Sequence, residues 1–247
     1  MPSDGDRPEH PQPRSPNDDG AGGDGAPDPR DGVVPAARWI LTTEYGPVAF
    51  GREMAGSVLA VLLVGLLLFA ISGVWPPMVA VESGSMEPNM YRGDLVFLME
   101  EHRLAPAAAY GDTGVVTARD GAAVGYYTFG GPGDVIIYSS PTNGATPIIH
   151  RARFWVDGGE NWFPRVNESY VPRGVSSCAD LRYCPAPHGG FVTKGDANEY
   201  YDQANGISPP VRPSWIRGTA ELRVPWLGHV RLFLAEAVAS GPRVPAR

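Results

Sequence analysis

Twenty-eight consecutive residues, from Met54 to Val81, carry no formal charge, and their centre reads VLAVLLVGLLLFAISGVW. About 20 apolar residues cross the hydrocarbon core of a bilayer, so this run predicts a transmembrane helix and ties the rest of the chain to a membrane. A core helix is rarely apolar on every face, and a cleaved leader has its charged start at the chain terminus and a shorter apolar run. Pro76 and Pro77 are expected to stop the helix by removing donors and crowding the preceding turn, which assigns it to residues 54–78. Arg38 and Arg52 lie before the run, while Glu82 and Glu87 come first after it. That bias puts the amino terminus in the cytoplasm and the following residues outside, in a single-pass protein of the cell membrane in contact with lipid.

The two sides of the span differ in kind. Residues 1 to 36 hold eight acids against three arginines, so they carry -5 of the chain's net -7, and fourteen of them are Gly or Pro. Ordering such a segment costs backbone entropy with almost nothing apolar to bury. Residues 1–37 are therefore expected to be a disordered acidic cytoplasmic tail, and 38–53 a juxtamembrane segment. Beyond the span, Leu95–Leu98, Val115–Thr117, Val135–Tyr138, Ile148–His150, Phe191–Thr193 and Ala220–Val224 read as short strands bounded by turn residues. The external part, 79–225, is predicted to be mainly β. Residues 226–247 are too short and too charged to span, and are expected to form an interfacial helix and tail. No basic stripe or aromatic platform points to nucleic acid.

Just after the span comes Ser83-Gly-Ser-Met-Glu-Pro. A serine needs a base within hydrogen-bond reach and donors aimed at the developing oxyanion before it acts as a nucleophile. Alone, a serine in a Gly/Pro turn more often caps or turns the chain. Three further segments follow in order: Gly133-Asp-Val-Ile-Ile-Tyr, Ile148-Ile-His-Arg, and Thr193-Lys-Gly-Asp-Ala-Asn-Glu-Tyr-Tyr-Asp. Together the four resemble the conserved boxes of signal peptidase I in its archaeal and endoplasmic-reticulum form, in which histidine replaces the bacterial lysine. The resemblance runs over about residues 55 to 225, with insertions near 99–132 and 155–190. Ala197 departs from it, standing where the archaeal form usually has a second Asn.

The resemblance implies a signal-peptidase-like β domain and a serine endopeptidase that cuts signal peptides from exported preproteins, with no cofactor, and with the export machinery as a partner. Ser85 is the implied nucleophile, His150 the base and Asp202 its orienting acid, with Asp196 in support. Ser83 and the Ser85 N–H would form the oxyanion hole. Val135, Ile136, Ile137 and Tyr138 would line the substrate cleft as an exposed edge to which the substrate adds a strand. Ser85 lies ten residues after Trp75, within about 35 Å of the membrane exit even if extended. The archaeal character of the boxes, with an acidic, lysine-poor composition, points to an archaeal source.

Each residue also has a plainer reading. The two aspartates sit in turn-rich sequence and could serve only as turns. Lys194 is the single lysine in the chain, so a serine–lysine dyad would have to use it, and it stands in the acidic box rather than at the base position. Cys178 and Cys184, on the expected external side, suit a disulfide. Two free thiols or part of a metal site are the alternatives, and only His188 is nearby to complete a zinc set; no metal is expected. The same sequence is compatible with two other functions: a related membrane serine protease for a specialised, pilin-like substrate, and a catalytically silent membrane adaptor.

Overall fold

The computed structural model describes residues 32–142, 144 and 146–239. Two compact units make up the chain, Met1–Val64 and Gly65–Arg247. Most of the acidic tail and the end of the carboxyl-terminal tail lie outside the described residues.

In the first unit, α1 (Val33–Thr42) precedes the start of α2 (Gly46–Ser72). Arg52 Nη1 donates to the carbonyls of Leu41 at 2.7 Å and Thr43 at 3.3 Å, filling acceptors left open at the end of α1. Residues 33–37, expected in the disordered tail, are thus helical, and α2 starts at Gly46 rather than 54. α2 has 27 residues and is long and apolar enough to cross a membrane, reaching about 40 Å at 1.5 Å per residue.

The last turns of α2 belong to the second unit. The helix ends at Ser72, short of the expected 78, because Gly73 takes φ +79° and its N–H bonds back to Phe69 O at 2.8 Å. Glycine reaches that left-handed stop without steric cost. Arg103 Nη1 then caps the carbonyls of Ala70 and Ile71. Pro76 and Pro77 therefore do not end the helix; they lead into a strand.

That strand is β1 (Met78–Ala80), the edge of a six-stranded antiparallel sheet. The others are β2 (Leu95–Met99), β5 (Val135–Tyr138), β6 (Ile148–Val156), β7 (Gly190–Lys194) and β8 (Ile216–Val224), in the order β1-β2-β8-β5-β6-β7. Two-residue strands β3 (Tyr127–Thr128) and β4 (Gly131–Pro132) form a separate hairpin after α3 (Ala118–Val124). The fold is mainly β with one long apolar helix, as expected. Val115–Thr117 is not a strand, however. Val116 pairs with Asp134 alone, giving its N–H to Oδ2 at 2.7 Å and accepting the Asp134 N–H at 2.8 Å, so a side chain replaces the ladder.

Three apolar clusters fill the unit. The first joins Val81, Met86 and Met90 to Val96, Leu98, Val135, Ile137 and Ala220. Fully burying one such side chain contributes about 1.5–3 kcal/mol, so the two methionines pin the turn that carries Ser85. A second cluster around Phe154, Trp162, Leu181 and Tyr201 gives the 155–190 insertion its own small core. Cys178 and Cys184 are disulfide-bonded there, with Cα atoms 5.0 Å apart. The last helix, α4 (Gly228–Ala239), leaves Trp226, Leu227, Val230 and Phe233 exposed at its start.

Candidate active site

Ser85 sits in the turn that follows β1, between exposed Ser83 and buried Met86. Its Oγ lies 3.2 Å from Ser83 Oγ. Its carbonyl accepts the Ala197 N–H at 2.9 Å, joining the serine turn to the loop after β7. The approach is close enough that a Cβ on Gly195 would come within 2.6 Å of Ser85 O, so any side chain there would push the two loops apart. Among the described residues the Ser85 N–H donates to no group.

His150 stands on β6, opposite Ile136 of β5, and is 5% exposed. Its Nδ1 lies 2.6 Å from Oδ2 of fully buried Asp202. A carboxylate acceptor makes Nδ1 the protonated nitrogen and leaves a lone pair on Nε2. Nε2 faces Asn198 Nδ2 at 3.5 Å. Asn198 was not singled out from the sequence; its signal was its place inside the acidic box, two residues past Asp196.

Asp196 does not reach His150. Arg151, next along β6 and 1% exposed, grips it with two bonds, Nε to Oδ1 at 2.9 Å and Nη2 to Oδ2 at 2.7 Å. Asn89 Nδ2 adds a third at 2.8 Å. Burial raises the Asp196 carboxyl, but the bonds and charge of Arg151, helped by Asn89, outweigh it and hold the group below the usual carboxylate range. Arg151 Nη1 also donates to the carbonyls of Thr128, Gly131 and Gly133 at 3.0, 3.2 and 2.9 Å, fastening the β3–β4 hairpin to the sheet. Lys194 points its Nζ at the carbonyls of Gly195 and Asp196, at 3.0 and 3.4 Å, and over the Tyr170 ring. Burial, then the charge of Arg153, lowers its ammonium from the ordinary lysine value.

One cleft is lined by Val79–Ser83, Ser85 and Met86 on one side and Thr146–His150 on the other, with Asn198, Ile207 and Arg231. Val135–Tyr138 do not line it. β5 is an interior strand, paired with β6 and β8, and all four residues are fully buried, so it is not the exposed edge expected from the sequence. The sequence pattern of four apolar residues is shared by edge and interior strands, and only the sheet order separates them. Among the described residues, the free edges beside the cleft belong to β1, which pairs only with β2, and to the start of β6, which meets β7 from Arg151 onward. Glu100, Glu101 and His102 form a group whose ligand atoms lie within 4.8 Å of one another, but none of them lines the cleft.

No protein-family model matches the chain. It is similar to the signal peptidase complex catalytic subunit SEC11 of Schizophyllum commune, 33% identical over 147 residues. The match takes in 58% of this chain and 58% of that subunit, so the chain spans little more than half the length of the curated relative. This likeness supports the signal peptidase I family, in its endoplasmic-reticulum and archaeal form, as the family of the chain.

Proposed function

We propose that this chain, as a relative of SEC11 in the signal peptidase I family, is a membrane-anchored serine endopeptidase that removes signal peptides from exported preproteins. The observation that carries this reading is the His150–Asp202 pair, Nδ1 to Oδ2 at 2.6 Å, whose Nε2 is left as an acceptor while His150 and Ser85 line one cleft. Ser85 Oγ attacks the scissile carbonyl after leaving its contact with Ser83. His150 Nε2 takes its proton and returns one to the departing amine, while Asp202 holds the tautomer and balances the imidazolium. The Ser85 N–H and the Ser83 hydroxyl stabilise the oxyanion, and water then hydrolyses the acyl-enzyme. Lys194 is the rival base, but its Nζ donates to carbonyls of its own loop and it does not line the cleft. Asp196 supports the site through Arg151.

The substrate lies extended between the free edges of β1 and early β6, where backbone pairing gives affinity and Val79, Val81 and Ile149 offer shallow apolar walls for small side chains. Ser85 comes thirteen residues after Ser72, the last residue of α2, which suits a cut just past a preprotein's apolar stretch. The amino terminus is cytoplasmic, the catalytic unit faces outside in an archaeal cell, and exposed Trp226, Leu227, Val230 and Phe233 at α4 contact lipid. Its partners are preproteins and the export machinery. The test is to incubate membranes containing the chain with a preprotein and sequence the product's amino terminus. The reading requires one cut directly after small residues that follow the apolar stretch; cuts scattered through leaderless proteins would contradict it.

A further inference from the structure

Three donors converge on a single oxygen of Asp202. His150 Nδ1 lies 2.6 Å from Oδ2, Thr193 Oγ1 2.7 Å and the Tyr138 hydroxyl 3.1 Å. Oδ1, equally buried, has no hydrogen-bond partner among the described residues. The directions of the hydroxyl protons follow from the next neighbours. Gln203 Oε1 accepts the Thr193 N–H at 2.9 Å, which orients its amide so that Nε2 donates to Thr193 Oγ1 at 3.3 Å. Thr193 therefore gives its own proton to Asp202. Tyr138 is 3.2 Å from that same Thr193 oxygen, and its proton goes to the stronger acceptor, the carboxylate. Burial and the charge of Asp202 keep the Tyr138 hydroxyl well above its usual range, so it stays a donor.

We propose that Tyr138 and Thr193 are positioning residues, two hydroxyls that fix the plane of the Asp202 carboxylate and so aim His150 Nε2 into the cleft. This rests on the catalytic reading above. Held by the imidazole alone, the carboxylate can turn about its Cβ–Cγ bond and present Oδ1 instead. Donors from β5 and β7, on either side of His150 in the sheet, bracket Oδ2 and close that rotation. Packing does not need the hydroxyl at 138, since phenylalanine fills the same volume within the apolar cluster of Val115, Ile136, Phe191 and Val211.

The test uses the full-length protein in detergent, with Tyr138→Phe, Thr193→Val and Thr193→Ser. Tyr138→Phe and Thr193→Val should each lower kcat roughly tenfold, with KM unchanged and the melting temperature lowered by no more than the few degrees that one lost hydrogen bond costs. Thr193→Ser, which keeps a hydroxyl, should restore kcat. The His150 Nδ1 proton should give a downfield NMR line that Tyr138→Phe displaces, a readout that needs no substrate. Parent values of both kcat and the NMR line in Tyr138→Phe would overturn the proposal, as would a loss confined to KM, which would put the side chain against substrate. A displaced NMR line in a chain that cleaves no preprotein would sustain the positioning role and sink the peptidase reading instead. Should Thr193→Val fail to fold, Tyr138→Phe still decides.

Discussion

His150 and Arg151 are neighbours on β6, and each reaches one of two aspartates set six residues apart, yet the two pairs are built in opposite ways. Arg151 and Asp196 are saturated: two bonds join them, Asn89 adds another, and the remaining guanidinium donors end on carbonyls of the 128–133 hairpin. His150 and Asp202 keep capacity in reserve. Among the described residues, Nε2 has only a 3.5 Å contact with Asn198, and Asp202 Oδ1 has no hydrogen-bond partner. A buried polar pair that spends every donor and acceptor is architecture, because nothing is left to exchange with a substrate. A pair that leaves an acceptor at a cleft is built for proton transfer.

Substitutions can break this contrast. The largest effect belongs to Asp202→Asn, which keeps shape but lets the imidazole take the wrong tautomer. It should cut kcat by about 10⁴-fold, the order seen for an orienting aspartate, with little change in melting temperature. A large loss of stability with modest loss of rate would reverse the roles of the two pairs. Arg151→Ala is the converse, leaving partly buried Asp196 without its counter-charge, and should cost up to about 3–5 kcal/mol of stability in thermal or denaturant unfolding. Ser83→Ala should lower kcat by the roughly 2.7–4 kcal/mol typical of one lost oxyanion donor; an unchanged rate would remove Ser83 from the oxyanion hole.

The smallest effect is a pH dependence of stability. The Asp196 carboxyl is held below its unfolded value by Arg151 and Asn89, so the native state binds its proton less readily than the unfolded state. The stability this contributes is fully present above an unfolded value of about 4 and disappears as pH falls through the lower folded value. Melting temperature should therefore drop on acidification below about pH 4, and Asp196→Asn should flatten that slope while lowering stability at neutral pH. An equally steep acid limb in Asp196→Asn would assign it to another group.

How legible this was in the sequence depended on range. The uncharged run and the serine, histidine and aspartate boxes are local signals; the first marks α2, and the others name residues that the fold brings near one another, His150 against Asp202 and Ser85 on the same cleft as His150. The helix stop was misread because Pro76 and Pro77 are louder in sequence than Gly73, whose left-handed φ ends α2 earlier. β1 merged with the apolar run, so the free edge beside the cleft was missed and its role was given to β5. Sheet order depends on pairings far apart in sequence, such as Ile136 with Thr219, which no local pattern encodes. The same limit put Tyr138 in the substrate cleft and hid its contact with Asp202, sixty-four positions away.

Everything proposed for this cleft turns on Ser85 as its nucleophile. Purified full-length protein and its Ser85→Ala form, incubated with one preprotein and followed by the appearance of the shortened product, test it most directly. The parent should yield a single product and Ser85→Ala none, with both proteins melting at the same temperature. Cleavage at the same bond by Ser85→Ala would contradict it.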